Sequence, residues 1–260
     1  MSSPPRYEPV KELGHVLQGF LIAGVIMDAI AVLSGLFQLA LLAEIERGVF
    51  TQGQIASNDL RQRLIGLSQT GIFLSTVVVF LMWFRRAYRN LPALGAAGLR
   101  FRQGWAIGAW FVPVLSLVRP KAIMNDIWKS SDPELPLEPG ETWKSRPTAA
   151  LLNWWWGLFL AMIFIGNWAL RASLGVSSPT IDQMRALTEI PLAAELLAIA
   201  AGILGTIVVK RVTIRQEQRA ARITRESPGY TPAPAVDPAL RQPGGRPPVW
   251  DPQVGRWVDR

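Results

Sequence analysis

Cysteine is missing from this chain, and histidine occurs once, as His15. The first absence removes disulfides, thiolate metal sites and cysteine nucleophiles together. A lone histidine at the entry to an apolar run reads as an interfacial residue and leaves no histidine cluster for a metal. Also absent are H-E-x-x-H, G-x-S-x-G, a P-loop, and a G-x-G-x-x-G that opens a helix after a strand. No named reaction finds its residues, so the expectation is a protein that is not an enzyme and carries no cofactor. The remaining scarcity is local. Half of the residues are apolar, and they gather into runs almost free of charge, while Asp, Glu, Lys and Arg crowd between them. Runs of about 20 apolar residues match a hydrocarbon core of ~30 Å at ~1.5 Å per helical residue. These features define an all-α integral membrane bundle.

In chain order, residues 1–14 carry Pro4, Pro5 and Pro9 and read as a short disordered lead. No cleavable signal peptide is expected, because the run that follows exceeds an h-region of about 7–15 residues. Four spans are expected over 16–43, 64–84, 149–170 and 190–209, within a membrane domain covering 15–225. A polar loop over 44–63, with a helical start to the second span, joins the first pair. A loop over 171–189 joins the last pair. Residues 210–225 continue as a basic juxtamembrane helix. The stretch 226–260 holds eight prolines and reads as a disordered tail. Trp250-Asp251-Pro252 and Arg256-Trp257-Val258-Asp259 form a faint echo within it.

Between the second and third spans lies a shorter apolar piece, 104–118. As a helix it would reach only ~22 Å, short of the ~30 Å core, and Pro113 near its middle breaks the hydrogen-bond ladder. Arg100 and Arg102 precede it and Arg119 and Lys121 follow. A crossing segment is basic mainly on one side, so this one is expected to dip in and return or to lie in the interface. Residues 120–131 then place Ile123, Met124, Ile127 and Trp128 on one helical stripe and Lys121, Asn125, Asp126 and Lys129 elsewhere, the spacing of an interfacial amphipathic helix.

The net charge of +8 fits the Lys/Arg excess of cytoplasmic loops better than nucleic-acid binding. With both termini cytoplasmic, only Arg47, Arg61, Arg63, Arg171 and Arg185 face outward, and the other 22 of the 27 Lys and Arg lie inside. Nine of the 11 tryptophans precede the tail. Eight of those nine fall at the cytoplasmic side, Trp168 being the exception, whereas an aromatic belt populates both interfaces. The inner face is therefore expected to carry something extra.

The site candidates follow from charge and depth. Asp28 is placed near the middle of the first span, on a face shared with Gly24, Ala31, Gly35 and Gln38, with Ser75 or Thr76 as expected partners. An ionisable group at such depth is a functional candidate by default, but Asp28 is expected to be a structural, hydrogen-bonded packing residue, with proton or ion handling as the alternative. Glu195 lies about 8 Å into the last span by residue rise, with Ala198, Gly202 and Thr206 on its face and Asn167 and Arg171 as expected partners, and is expected to be a structural clamp. The depths argue against a direct Asp28–Glu195 pair. Asn153 is a further polar group at the start of the third span. Arg85, Arg86, Arg89, Arg100, Arg102, Arg119 and Lys121, with Trp105, Trp110 and Trp128, form a surface suited to anionic lipid head groups or a protein partner.

The run FRQGWAIGAWFVPVLSLVRPKAIMNDIW with Ser131-Asp132-Pro133, preceded by WFRRAYRN and followed by NWWW, resembles a bacterial membrane family, domain of unknown function 4328, over about residues 16–210. The Ala, Gly and Trp-rich composition with a Pro-rich tail is similar to that of actinobacterial members. The resemblance implies architecture and no activity. One departure is that the Pro-rich tail, expected before the membrane domain, follows it here. The expected role is a multi-pass scaffold or sensor of the cell membrane whose Arg/Trp-rich face binds anionic lipid. The Pro-rich tail is read as a contact for a cytoplasmic protein partner, no nucleic acid is expected, and the oligomeric state is left open. The alternatives are a small transporter or channel using Asp28 and the half-inserted segment, and a membrane enzyme acting on lipid-linked substrates through Asp126.

Overall fold

The computed structural model describes residues 6–175, 179–226, 249–251 and 256–258. Its helices are α1 (Lys11–Glu46), α2 (Gln52–Arg89), α3 (Trp105–Gly108), α4 (Arg119–Ser130), α5 (Ala150–Leu174) and α6 (Ile181–Glu226). Helices α1, α2, α5 and α6 are long and apolar enough to cross a membrane. Single turns of 3-10 helix lie at Leu115–Leu117 and Thr142–Ser145.

Two helix starts at the end of the bundle poor in lysine and arginine use the same device. Thr51 and Gln54 form a capping box at the head of α2, and Thr180 and Gln183 exchange the same two bonds at the head of α6. In each, the threonine hydroxyl accepts from the backbone N–H three residues on and the glutamine amide oxygen accepts in return, satisfying donors the helix leaves orphaned. The polar stretch expected as a loop over 44–63 is therefore mostly the first turns of α2.

Helices α1 and α6 form the spine. Gly35 lies where an added Cβ would sit 2.6 Å from Leu192, and one on Gly202 would sit 2.7 Å from Val25. Small residues thus let two apolar helices approach without any hydrophobic drive between them, as lipid-embedded packing requires. Helix α2 packs on α1 and α5 packs on α6, giving the order α2–α1–α6–α5.

With α1 ~54 Å and α6 ~69 Å long by residue rise, both exceed a bilayer, and the surplus is used at the basic end. There the start of α1, the end of α2, residues 90–146 and the end of α6 enclose a core that includes Leu17, Trp83, Tyr88, Ile123, Ile127, Trp143 and Val212. The lead over 1–14 is corrected where it is described. Val10 is buried, its N–H donates to Glu217 Oε1 at 3.0 Å, and Glu8 exchanges two bonds with the side chain of Asn90. The first five residues lie outside the described chain. Most of the tail also lies outside it, but Val249–Asp251 pairs antiparallel with Arg256–Val258, Trp250 opposite Trp257, so the described parts of the two echoing segments pair with each other.

The 104–118 piece returns to the end of the bundle that it leaves. Ala97 N–H donates to Gly140 O at 2.9 Å and Gly140 N–H to Gly95 O at 3.0 Å, which fastens the chain leaving for this piece to the chain coming back from α4. The Arg100 and Arg119 guanidinium groups also sit 5.7 and 5.9 Å from the centre of the same Phe101 ring. Its only α-helix has four residues, and Val114 adopts φ 65°, a strained conformation for a β-branched residue.

Candidate functional site

Polar side chains line one seam of the bundle. Toward the lysine- and arginine-poor end, Gln38 donates to Thr188 Oγ1 at 3.0 Å and accepts from Gln62. Arg61 donates to Ser34 Oγ at 2.9 Å and to Asn58 Oδ1 at 2.7 Å. About 9 Å further in along α1, by residue rise, Gln69 Nε2 lies 3.1 Å from Asp28 Oδ1 and 3.0 and 3.1 Å from the two carboxylate oxygens of Glu195. One neutral amide thus joins two carboxyl groups from different helices, and neither carboxyl has a cationic side chain within ion-pair distance among the described residues.

This corrects the expectation that depth separates Asp28 from Glu195. The apolar run 16–43 is longer than a bilayer needs, so its centre is not the membrane centre. The Arg61–Ser34 bonds set α1 against α2 and the close approach of Gly35 to Leu192 sets α1 against α6, and Asp28 lies near the level of Glu195. The expected partners fall away. Ser75 and Thr76 bond their own helix, at Gly71 O and Ile72 O. Asn167 is exposed and donates to Ile163 O, Arg171 is exposed, and Asn153 is exposed at the start of α5. Gln69 was missed. Its signal is an amide with two donors inside an otherwise apolar or hydroxyl-bearing span.

Below the carboxyl pair a cavity of about 370 Å³ runs toward the basic end. Asp28 and Gln69 line one part of it. Phe73, Phe80, Trp155 and Phe159 line its length, and Trp110 with Met124 lies at the far end. Trp110 holds that end through edge contacts to Phe80, Phe84, Trp156 and Phe159, with ring centres 5.2 to 6.1 Å apart. The tryptophan excess is thereby explained in part. Trp83, Trp143 and Trp156 are buried and donate to Thr213 Oγ1, Ala97 O and Leu117 O, so they serve the joint between bundle and cap.

Several of the basic residues expected to form a lipid surface also have partners within the chain, while the side chains of Arg86, Arg89 and Arg100 stay 37%, 44% and 51% exposed. Arg86 and Arg89 face Glu8 at 3.4 and 3.6 Å. Arg119 lies 3.9 Å from the centre of Trp105, and Arg215 lies 4.5 Å from the centre of Trp128. Arg100 donates through Nε to both oxygens of the buried Asp126 at 3.1 and 3.2 Å. Burial pushes the Asp126 carboxyl above its ordinary value, with the Arg100 guanidinium working against it. Lys121 donates to Asn125 Oδ1 at 2.6 Å, and burial lowers its ammonium from the usual lysine value. Helix α4 presents Ile123, Met124 and Ile127, all fully buried, to protein, so its apolar stripe is an internal strut. Arg85 and Arg102 remain exposed, with no bonded partner among the described residues.

The pattern of the family described as Domain of unknown function (DUF4328) matches residues 48–214, from the turn before α2 into the extension of α6. The chain belongs to this family. The matched stretch holds Gln69, Glu195 and the whole 104–118 piece, whereas Asp28 precedes it. No curated protein and no solved structure matches the chain.

Proposed function

We propose that this membrane protein belongs to the transporter class and handles a proton or monovalent cation at Asp28, Gln69 and Glu195. The observation that carries this reading is the convergence of two carboxyl groups on Gln69 Nε2 within 3.1 Å. Two carboxylates this close in an apolar surround cannot both stay ionised without a positive partner. A proton shared by the pair or a cation beside it supplies that charge. The polar seam of Arg61, Gln62 and Gln38 supports an approach from one end. The test is flux in proteoliposomes. A proton or Na⁺ gradient should drive uptake by the native chain, and Asp28→Asn with Glu195→Gln should lower the rate about tenfold or more, as loss of a charged intramembrane site implies. Equal rates in native and variant vesicles would sink the reading.

A second reading keeps the membrane-surface role. Arg85 and Arg102 are exposed at the basic end, where Lys and Arg near an anionic leaflet contribute about 1 kcal/mol each. In this reading the basic end faces the cytoplasm and the exposed cations hold anionic lipid without catalysis, the tail being a contact for a protein partner. Co-purified anionic lipid that falls in Arg85→Gln with Arg102→Gln would support it, and unchanged lipid content would count against it.

A further inference from the structure

The bundle does not close on itself. Helices α2 and α5 are not packed along their length, and they meet at the basic end, where the Phe80 and Trp155 ring centres lie 6.5 Å apart. Away from that contact the two helices stand on opposite sides of the cavity, which is bounded behind by Ala198, Ala201 and Gly202 of α6. The volume, about 370 Å³, is within the roughly 300–1,000 Å³ usual for organic ligands. A bare proton or sodium ion needs none of it. Its lining is almost entirely apolar and aromatic, which would strip a hydrated ion of water without replacement. Apart from Thr76, whose hydroxyl donates to its own helix at Ile72 O, the polar lining is at the end with Asp28 and Gln69, where carboxyl groups stand without a cation of this chain among the described residues.

We propose that the cleft binds an amphiphilic organic cation. Its positive group sits at Asp28 with Glu195 beside it across Gln69, and its apolar body lies between Phe73, Phe80, Trp155 and Phe159. Aromatic faces add to the recognition of a desolvated cation. The gap between α2 and α5 gives such a molecule a route from the lipid, where its apolar body already partitions. Trp110 closes the far end, and its buried indole N–H has no acceptor among the described residues. This inference rests on the reading of Asp28, Gln69 and Glu195 as a cation site and adds the class of molecule that the site accepts.

Two probes of the same shape and opposite charge test it, tetraphenylphosphonium and tetraphenylborate, added to the full chain in nanodiscs. Tryptophan quenching and equilibrium dialysis should show saturable phosphonium binding and about tenfold or weaker borate binding, the difference that one ionic contact supplies. Asp28→Asn with Glu195→Gln keeps the hydrogen-bonding shape and should weaken the phosphonium about tenfold or more. Phe159→Ala, distant from the carboxyl groups, should weaken both probes several-fold. Unchanged melting of each variant ties the loss to the site rather than to the fold. Equal binding of the two probes, or phosphonium binding indifferent to the double substitution, overturns the inference and marks the cleft as a lipid-chain gap. Carboxyl-dependent proton or Na⁺ flux without phosphonium binding overturns the inference and leaves the ion site standing. Failure of both flux and binding removes the two together.

Discussion

Around Arg219 the structure is filled, and around Asp28 it is not. At the basic end, Arg219 is 1% exposed and donates to the carbonyl oxygens of Leu94, Leu135 and Pro136, while Gln216 and Asn90 bond each other beside it. Toward the other end the same helix passes a cavity of about 370 Å³ and two carboxyl groups that share one amide. The difference lies in what faces α6. In the cap, large rings and returning loops converge on it from several elements. Beyond the aromatic joint, Ala198, Ala201 and Gly202 of α6 border a cavity that α1, α2 and α5 also line. One helix is clamped at one end and left open to a ligand at the other, so a binding region that departs from tight packing is held by a region that does not.

The strongest way to break this contrast is Arg219→Ala. The carbonyls of Leu94 and Pro136 would lose this donor while Leu135 O keeps Arg222 at 3.3 Å, and the chain should lose about 3–5 kcal/mol, since stranding a buried polar group costs roughly 1–3 kcal/mol and removing the large buried side chain leaves a cavity. Thermal unfolding in detergent reads the loss. Arg219→Lys should recover part of it, because an ammonium cannot reproduce the planar fork. A shift no larger than that of Gln69→Leu would mean that the cap is not the stable half.

Trp110→Ala attacks the joint between the halves. Removing a half-buried ring that touches four others should cost about 2–3 kcal/mol, below the range for a fully buried aromatic. Hydrogen exchange should rise in 104–118 and leave the far half of α5 as it was. Uniform acceleration through the bundle would show that the two regions unfold as one.

The smallest effect is expected at Asp126. Because burial raises its carboxyl in the folded chain, the folded state holds the proton to higher pH than the unfolded state does. Between the ordinary carboxylate value and the raised one the folded state binds more protons, so stability falls as pH rises through that window. Asp126→Asn cannot titrate, and its melting temperature should lack this fall. Parallel pH profiles for the two chains would show that the Arg100 pair, not burial, governs the carboxyl.

Much of the fold was legible. Apolar runs located the four long helices, and basic flanks on both sides of 104–118 marked it as a piece that returns. The stripe of Ile123, Met124 and Ile127 marked a helix with one apolar face, but periodicity cannot say whether lipid or protein covers that face, and here protein does. The partners of the arginine cluster were hidden for a related reason. A cation shows its charge in the sequence, whereas the partners that neutralise it, Glu8 for Arg86 and Asp126 for Arg100, come from elsewhere in the chain. Arg219 was unmarked because its partners are backbone carbonyls, which every residue possesses.

The sequence by itself determined that helices long enough to cross a membrane would form, how many, and that one end would be basic, since length, apolarity and charge are properties of contiguous stretches. Only the tertiary structure decided which levels of those helices meet. An apolar run longer than the bilayer can slide along its neighbours at little cost until specific bonds stop it. In this chain Arg61 to Ser34, together with the close approach of Gly35 and Leu192, stops α1 where Asp28, Gln69 and Glu195 come within one hydrogen bond of one another.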